Sequence, residues 1–233
     1  MNGVTFVSKH SYNDFQLIMT AKRIGTPSKK KIKVDVPGMN SVYDFSTIAS
    51  NGELIYNQRP IEADFTLFAN SKRELHSQLS KVAEWLQDTA QGQLIFDDIS
   101  YYYFLAEVEG SLKTSEEHNT ADITVTFTCE PFKTGLAFVG NTIWDTFNFE
   151  EDTLQSLSFD VVGTKTVSVY NPGQLVTPTI NCSVPMSIVF AGKTYPLIAG
   201  DNTPYGFKLL NGPNSLVING TGTLSVLFRK VIL

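Results

Sequence analysis

The stretch S-K-R-E-L-H-S-Q-L-S-K-V-A-E-W-L-Q-D-T-A-Q-G, residues 71–92, is the one segment of the 233-residue chain with a convincing helical period. Leu75, Leu79, Val82 and Leu86 fall at i, i+4, i+7 and i+11, so they form a single apolar stripe. Ser71 followed by Glu74 fits a capping box, in which each side chain satisfies an otherwise unpaired backbone N–H. Gly92 is placed to stop the helix in a left-handed cap. The spacing predicts a helix over about 71–91 lying across a sheet. Burial of the four stripe residues contributes about 6–12 kcal/mol as an upper estimate.

Outward from the helix the texture is strand. Upstream, V-T-F-V-S (4–8) and F-Q-L-I-M (15–19) have short β-rich runs separated by the turn-prone S-Y-N-D. Ile61, Ala63, Phe65 and Leu67 share one face of a further strand. Downstream, Ile123, Val125, Phe127 and Cys129 alternate with Asp122 and three threonines, and Pro131 is expected to end that strand. Strands, one helix, then strands predict an α+β first domain over 1–133. The second domain is expected over 134–233, and from 137 to 233 no helical period remains. Short strand-like runs are set off by Asn171-Pro172, Asn211-Gly212 and Asn219-Gly220, which predicts a β-sandwich. The fold class is therefore mainly β.

Composition narrows the function. Eighteen Lys and Arg against 23 Asp and Glu give a net charge of −5, the wrong sign for a general nucleic-acid binder. Two cysteines, Cys129 and Cys182, lie inside apparent strands and read as small buried hydrophobes. His10, His76 and His118 have no metal-ligand spacing. The acidic pairs Asp97-Asp98, Glu116-Glu117 and Glu150-Glu151-Asp152 fall at turns, where carboxylates collect for solvation. There is no G-x-S-x-G, Walker A or G-x-G-x-x-G motif. The expectation is a protein that is not an enzyme and needs no cofactor or metal. No apolar run has membrane-spanning length, so the chain is expected to be soluble in the cytoplasm where it is made.

The stretch K-K-K-I-K-V-D-V-P-G-M-N-S-V-Y-D-F-S, residues 29–46, combines a basic run with a Pro-Gly turn. Lys31, Lys33 and Asp35 alternate with Ile32, Val34 and Val36, the period of a half-buried strand. No helix start follows Gly38, which disfavours a phosphate cradle and favours an exposed strand end. The aromatics Tyr101, Tyr102, Tyr103, Trp144, Tyr195 and Tyr205 exceed what alternation can bury. Such surfaces serve sugar platforms and protein interfaces alike. Trp144 and Tyr195 are candidate glycan contacts, with a core position the competing reading for Trp144.

The layout resembles the distal tail protein (Dit) family of siphophages. Pro37, Gly38, Asn40, Asp44 and Ser46 match its P-G-x-(N/D)-G-like turn and following D-x-S, and Arg59 in Y-N-Q-R-P-I sits where the family's pattern places it. N-P-G-Q-L-V-T-P-T-I-N and the C-terminal G-P-N-S-L-V-I-N-G-T-G-T-L-S-V-L-F-R-K-V-I-L resemble its galectin-like domain. Met39 and Ser41 stand where many relatives have Arg and Gly. The resemblance implies a homohexameric ring at the tail tip, with first domains around a channel for DNA and galectin-like domains outside. Its implied partners are the tail-tube protein, the tail-associated or hub protein, and receptor-binding proteins. Its implied location is the virion, after synthesis in the host cytoplasm, without membrane insertion. Lys31, Lys33, Pro37, Gly38, Asn40, Asp44 and Arg59 are then candidate assembly residues. The alternative is a carbohydrate-binding protein acting through its C-terminal sandwich.

Overall fold

The structure is a computed structural model that describes residues 3–47, 53–140 and 153–233. It divides into two compact units, Met1–Lys133 with Leu233, and Thr134–Ile232. The chain is mainly β with one long helix, as the periodicities predict.

The first unit holds β1 (Val4–Phe6), β2 (Lys9–His10), α1 (Ser11–Phe15), β3 (Ile18–Ile24), β4 (Lys33–Asp35), β5 (Val42–Asp44) and β6 (Arg59–Phe68). Then follow α2 (Lys72–Gln87), β7 (Gly92–Phe96), β8 (Tyr102–Glu107), β9 (Lys113–Glu117) and β10 (Thr120–Phe138), whose residues from Thr134 on belong to the second unit. The main sheet runs β2-β1-β7-β8-β10-β6-β3, with β9 added against β10. β6 and β10 are antiparallel over ten residue pairs, from Thr120↔Phe68 to Cys129↔Arg59. Strict alternation places Ile61, Ala63, Phe65 and Leu67 beside Ile123, Val125 and Phe127 in one core.

Helix α2 closes that core with Leu75, Val82, Trp85 and Leu86 buried and Leu79 partly buried. Ser71 caps it by accepting the Glu74 N–H at 3.2 Å. The Glu74 carboxylate reaches one residue further back than a capping box requires, to the Asn70 N–H at 3.0 Å. The expected Gly92 cap does not form: Asp88 ends the helix at φ −88°, and Gly92 opens β7 instead. Gly92 is needed there for space, since a Cβ would lie 2.2 Å from Val7 Cγ2. S-Y-N-D is also not a plain turn but most of α1, capped by the His10 side chain.

Pro131 does not end its strand. β10 continues to Phe138, because the β6 ladder already stops at Cys129 and the missing proline N–H falls beyond it.

The second unit contains β11 (Ser158–Asn171), β12 (Thr179–Cys182), β13 (Met186–Phe190), β14 (Lys193–Leu197), β15 (Gly200–Asn202), β16 (Gly212–Leu227) and β17 (Arg229–Ile232). Its sheet runs β14-β13-β16-β12-β15, and β11 pairs with β16 over fourteen positions. β17 pairs with β10, and within this unit Arg229 donates from Nη1 to the Gly135 carbonyl at 3.2 Å. Asn219-Gly220 is not the expected turn but lies inside β16. Gly220 at φ +143° and Gly222 at φ +158° sit where β16 changes neighbour from β13 to β12. A Cβ on Gly220 would stand 2.9 Å from Met186 Cγ, so the glycine there serves close packing within a strand.

Candidate assembly surface

The P-G turn carries a ribbon that stands off the main sheet. Among the described residues β4 and β5 pair only with each other, in the register Lys33↔Asp44, Val34↔Tyr43 and Asp35↔Val42. The Met39 N–H donates to the Val36 carbonyl at 3.1 Å across Pro37 and Gly38, and Gly38 has φ +84°. Proline at the second position and positive φ at the third make a type II turn.

Side chain–backbone bonds below the turn replace a core. The Ser46 Oγ accepts the Ile32 N–H at 2.9 Å, and the Ser46 N–H donates to Asp44 Oδ1 at 2.9 Å. Lys31 Nζ lies 3.0 Å from the other Asp44 oxygen. The hydrogen bonds from Ser46, then that from Lys31, hold the Asp44 carboxyl far below the usual carboxylate range. Lower still, Lys30 and Asn57 donate backbone N–H groups to Ile55 and Ser28, both at 2.8 Å.

The expectation of a half-buried strand over 29–36 is corrected by the side chains. Ile32, Val34, Val42, Tyr43 and Phe45 are 40–51% exposed, as is Met39 at 45%. These side chains meet solvent, and among the described residues no further layer pairs with or covers the ribbon. A two-stranded hairpin of this size is marginal in water by itself, and an apolar one invites a partner.

Six of the candidate residues come together here. Lys31 and Asp44 form the clamp, Lys33 faces Asp44 across the register, Pro37 and Gly38 make the turn, and Asn40 lies exposed just after it. Arg59 stands apart from them. It is 5% exposed at the start of β6, giving its Nε to the Pro131 carbonyl at 2.9 Å and lying over the Phe104 ring at 5.4 Å. Burial pushes its guanidinium pKa down. It braces the strand beneath the surface rather than presenting a charge. Ser46, only 6% exposed, was legible as part of D-x-S but not as the residue tying both strands of the ribbon together.

In the second unit, Tyr195 packs edge-on against Phe207 with centroids 5.1 Å apart and donates its hydroxyl to the Gly206 carbonyl at 3.3 Å. Trp144 and the Glu150-Glu151-Asp152 run lie outside the described residues. Among the described residues no His, Cys, Asp and Glu group is arranged to hold a metal. His10 and Asp97 meet at 3.2 Å, and His76 and Glu116 at 3.7 Å. Cys129 and Cys182 are buried free thiols, and burial pushes the Cys129 pKa up to about 12. Among the described residues no helix is long and apolar enough to cross a membrane.

A profile of the phage tail protein RIFT-related domain matches residues 10–129, more than half of the chain. The chain belongs to that phage tail family. It is a structural component of a phage tail, and so of a virion, in a family that is not a known enzyme class. No curated protein matches it. Among solved structures, the Dit protein (gp 19.1) of phage SPP1, described as a paradigm of the hub adsorption apparatus in phages infecting Gram-positive bacteria, aligns over 100% of both chains. The TM-score is 0.73 at 14% identity, which establishes a shared fold. A chain of the phage p2 baseplate in its activated, strontium-bound conformation aligns over 98% of both chains, with a TM-score of 0.42 and 10% identity.

Proposed function

We propose that this tail protein is a distal tail protein whose copies close into a hexameric ring at the tail tip, between the tail tube and the hub protein. Residues 1–133 form the ring around a channel for DNA, and the galectin-like unit, 134–233, lies outside it. The β4–β5 ribbon carries the proposal: it exposes apolar side chains, and among the described residues no layer covers them. A neighbouring copy would supply the missing layer, and a contact between different patches of identical chains closes a ring when the rotation fits. The fold shared with SPP1 Dit supports the same reading. Native mass measurement of the purified chain, alone and mixed with its tail-tube and hub proteins, tests it. A species of six copies is expected, and a strict monomer in both conditions overturns it.

A second reading, glycan binding by the outer unit, draws on Tyr205. This side chain is fully exposed in a turn where the Phe207 N–H donates to the Pro204 carbonyl at 3.1 Å and Gly206 has φ +77°. Host cell-wall polysaccharide should then bind, and Tyr205→Ala should abolish binding. Absence of binding to any wall fraction overturns this reading.

A further inference from the structure

The surface that receives the ribbon can be sought on the same chain, and one groove has matching chemistry. Between α2 and β9 lies a groove of ≈ 400 Å³. Leu79, Val82, Ala83, Leu112 and Ile123 supply its apolar lining, and Glu116, with His76 3.7 Å away, its carboxylate. Leu79 and Leu112 are only partly buried against the core, so the apolar stripe of α2 is wider than its own chain covers. β9 pairs only with β10 among the described residues, and all five of its residues are exposed. Its outer edge therefore offers unpaired backbone groups beside the apolar floor.

The ribbon carries the complementary set. Ile32, Val34, Val42 and Tyr43 offer apolar surface. Lys31 is neutralised by Asp44, which leaves Lys29, Lys30 and Lys33 without an acidic partner among the described residues.

The β6–β10 ladder keeps the two surfaces apart. The ribbon's base joins this ladder at its Arg59 end, where Lys29 bridges to Tyr56 and Tyr56 packs on Phe132. The groove lies at the other end, where β9 pairs with Thr120–Thr124. Of its ten residue pairs, the five from Thr120 to Thr124 lie beside β9, and the five that follow carry the ladder on to Cys129, about 17 Å at strand spacing. Donor and acceptor at opposite ends of one rigid ladder suit contact between copies, head to tail.

We infer that the β4–β5 ribbon of one copy docks in the α2–β9 groove of the next, apolar side chains over Leu79 and Leu112 and Lys33 toward Glu116. This rests on the ring reading and names the two surfaces that make the ring. The partner is a second copy of this chain.

The test uses the full chain in two arms. Lys33→Glu and Glu116→Lys should each raise the concentration for half-assembly about tenfold, and the double exchange should restore it. Separately, Val34→Cys with Ser111→Cys should give an oxidised ladder of covalent multimers on a non-reducing gel, where each single variant gives none beyond the dimer. A ring that forms with no ladder, and with both charge reversals harmless, overturns this docking while leaving the ring reading intact. Cross-linking that stops at two copies overturns the head-to-tail arrangement. No oligomer under any condition, with or without the tail-tube and hub proteins, removes the ring reading and the docking together.

Discussion

Two antiparallel ribbons in this chain meet opposite fates. β11 and β16 share fourteen residue pairs and bury Val161, Val169, Leu216, Ile218 and Leu224 in the core of their own unit. β4 and β5 share three pairs and bury no large side chain. The first ribbon is held by its hydrophobic face. The second is held by a turn, a serine and one ion pair. Cross-strand pairing alone does not stabilise a ribbon, so a short one depends on local clamps or on a covering layer.

Substitutions can sharpen that contrast. Ile218→Ala should cost about 2–5 kcal/mol of second-unit stability, read by denaturant unfolding, because it opens a cavity under β16. Gly220→Val should cost about 2–3 kcal/mol in the same assay, combining positive-φ strain with the Met186 clash. Gly38→Val should cost only about 1–2 kcal/mol in the monomer, since nothing lies within 4 Å of the added carbon and only the turn conformation resists. Its larger effect should be on assembly, measured by native mass. Equal loss of folding and assembly would show that the turn is merely structural. Val34→Ser should change monomer stability by less than about 0.5 kcal/mol while weakening assembly, because the side chain has no layer to leave.

The smallest effect concerns pH. Asp44 has a depressed folded-state pKa, so the clamp's contribution is complete above the unfolded carboxylate range, about pH 4. It fades as pH falls below that through the depressed value. The protection of the Ile32 and Ser46 amides, taken relative to the intrinsic exchange rate at each pH, should stay constant at pH 5–8 and fall only in stronger acid. Loss of protection already near pH 6 would break the assignment.

Most of the first unit was legible because its signals are local and redundant. The α2 stripe and the alternation of Ile61–Leu67 and Ile123–Cys129 each specify a face, and a core awaits each face. The ribbon shows the limit of that signal. Ile32 and Val34 alternate with lysines just as a half-buried strand would, but period two states which side chains share a face and not whether anything covers it. Asn219-Gly220 fails for a related reason. Its turn propensity is overridden by fourteen pairs with β11, and the glycine is required by a Met186 distant in sequence. The groove between α2 and β9 was invisible for the same cause, since the hairpin of β9 and β10 positions Leu112 and Glu116 beside the helix only after pairing.

The small cap on α1 fixes a chemical state as well as a helix end. His10 Nδ1 accepts the N–H groups of Tyr12 and Asn13 at 3.1 and 3.2 Å, so that nitrogen must present its lone pair. The ring hydrogen then resides on Nε2, which points at Asp97 across 3.2 Å. The imidazole behaves here as an enlarged asparagine, one face accepting and the other donating, with its tautomer chosen by the fold. A nitrogen-15 spectrum should show one ring nitrogen of pyridine type and one of pyrrole type, in that order along the side chain.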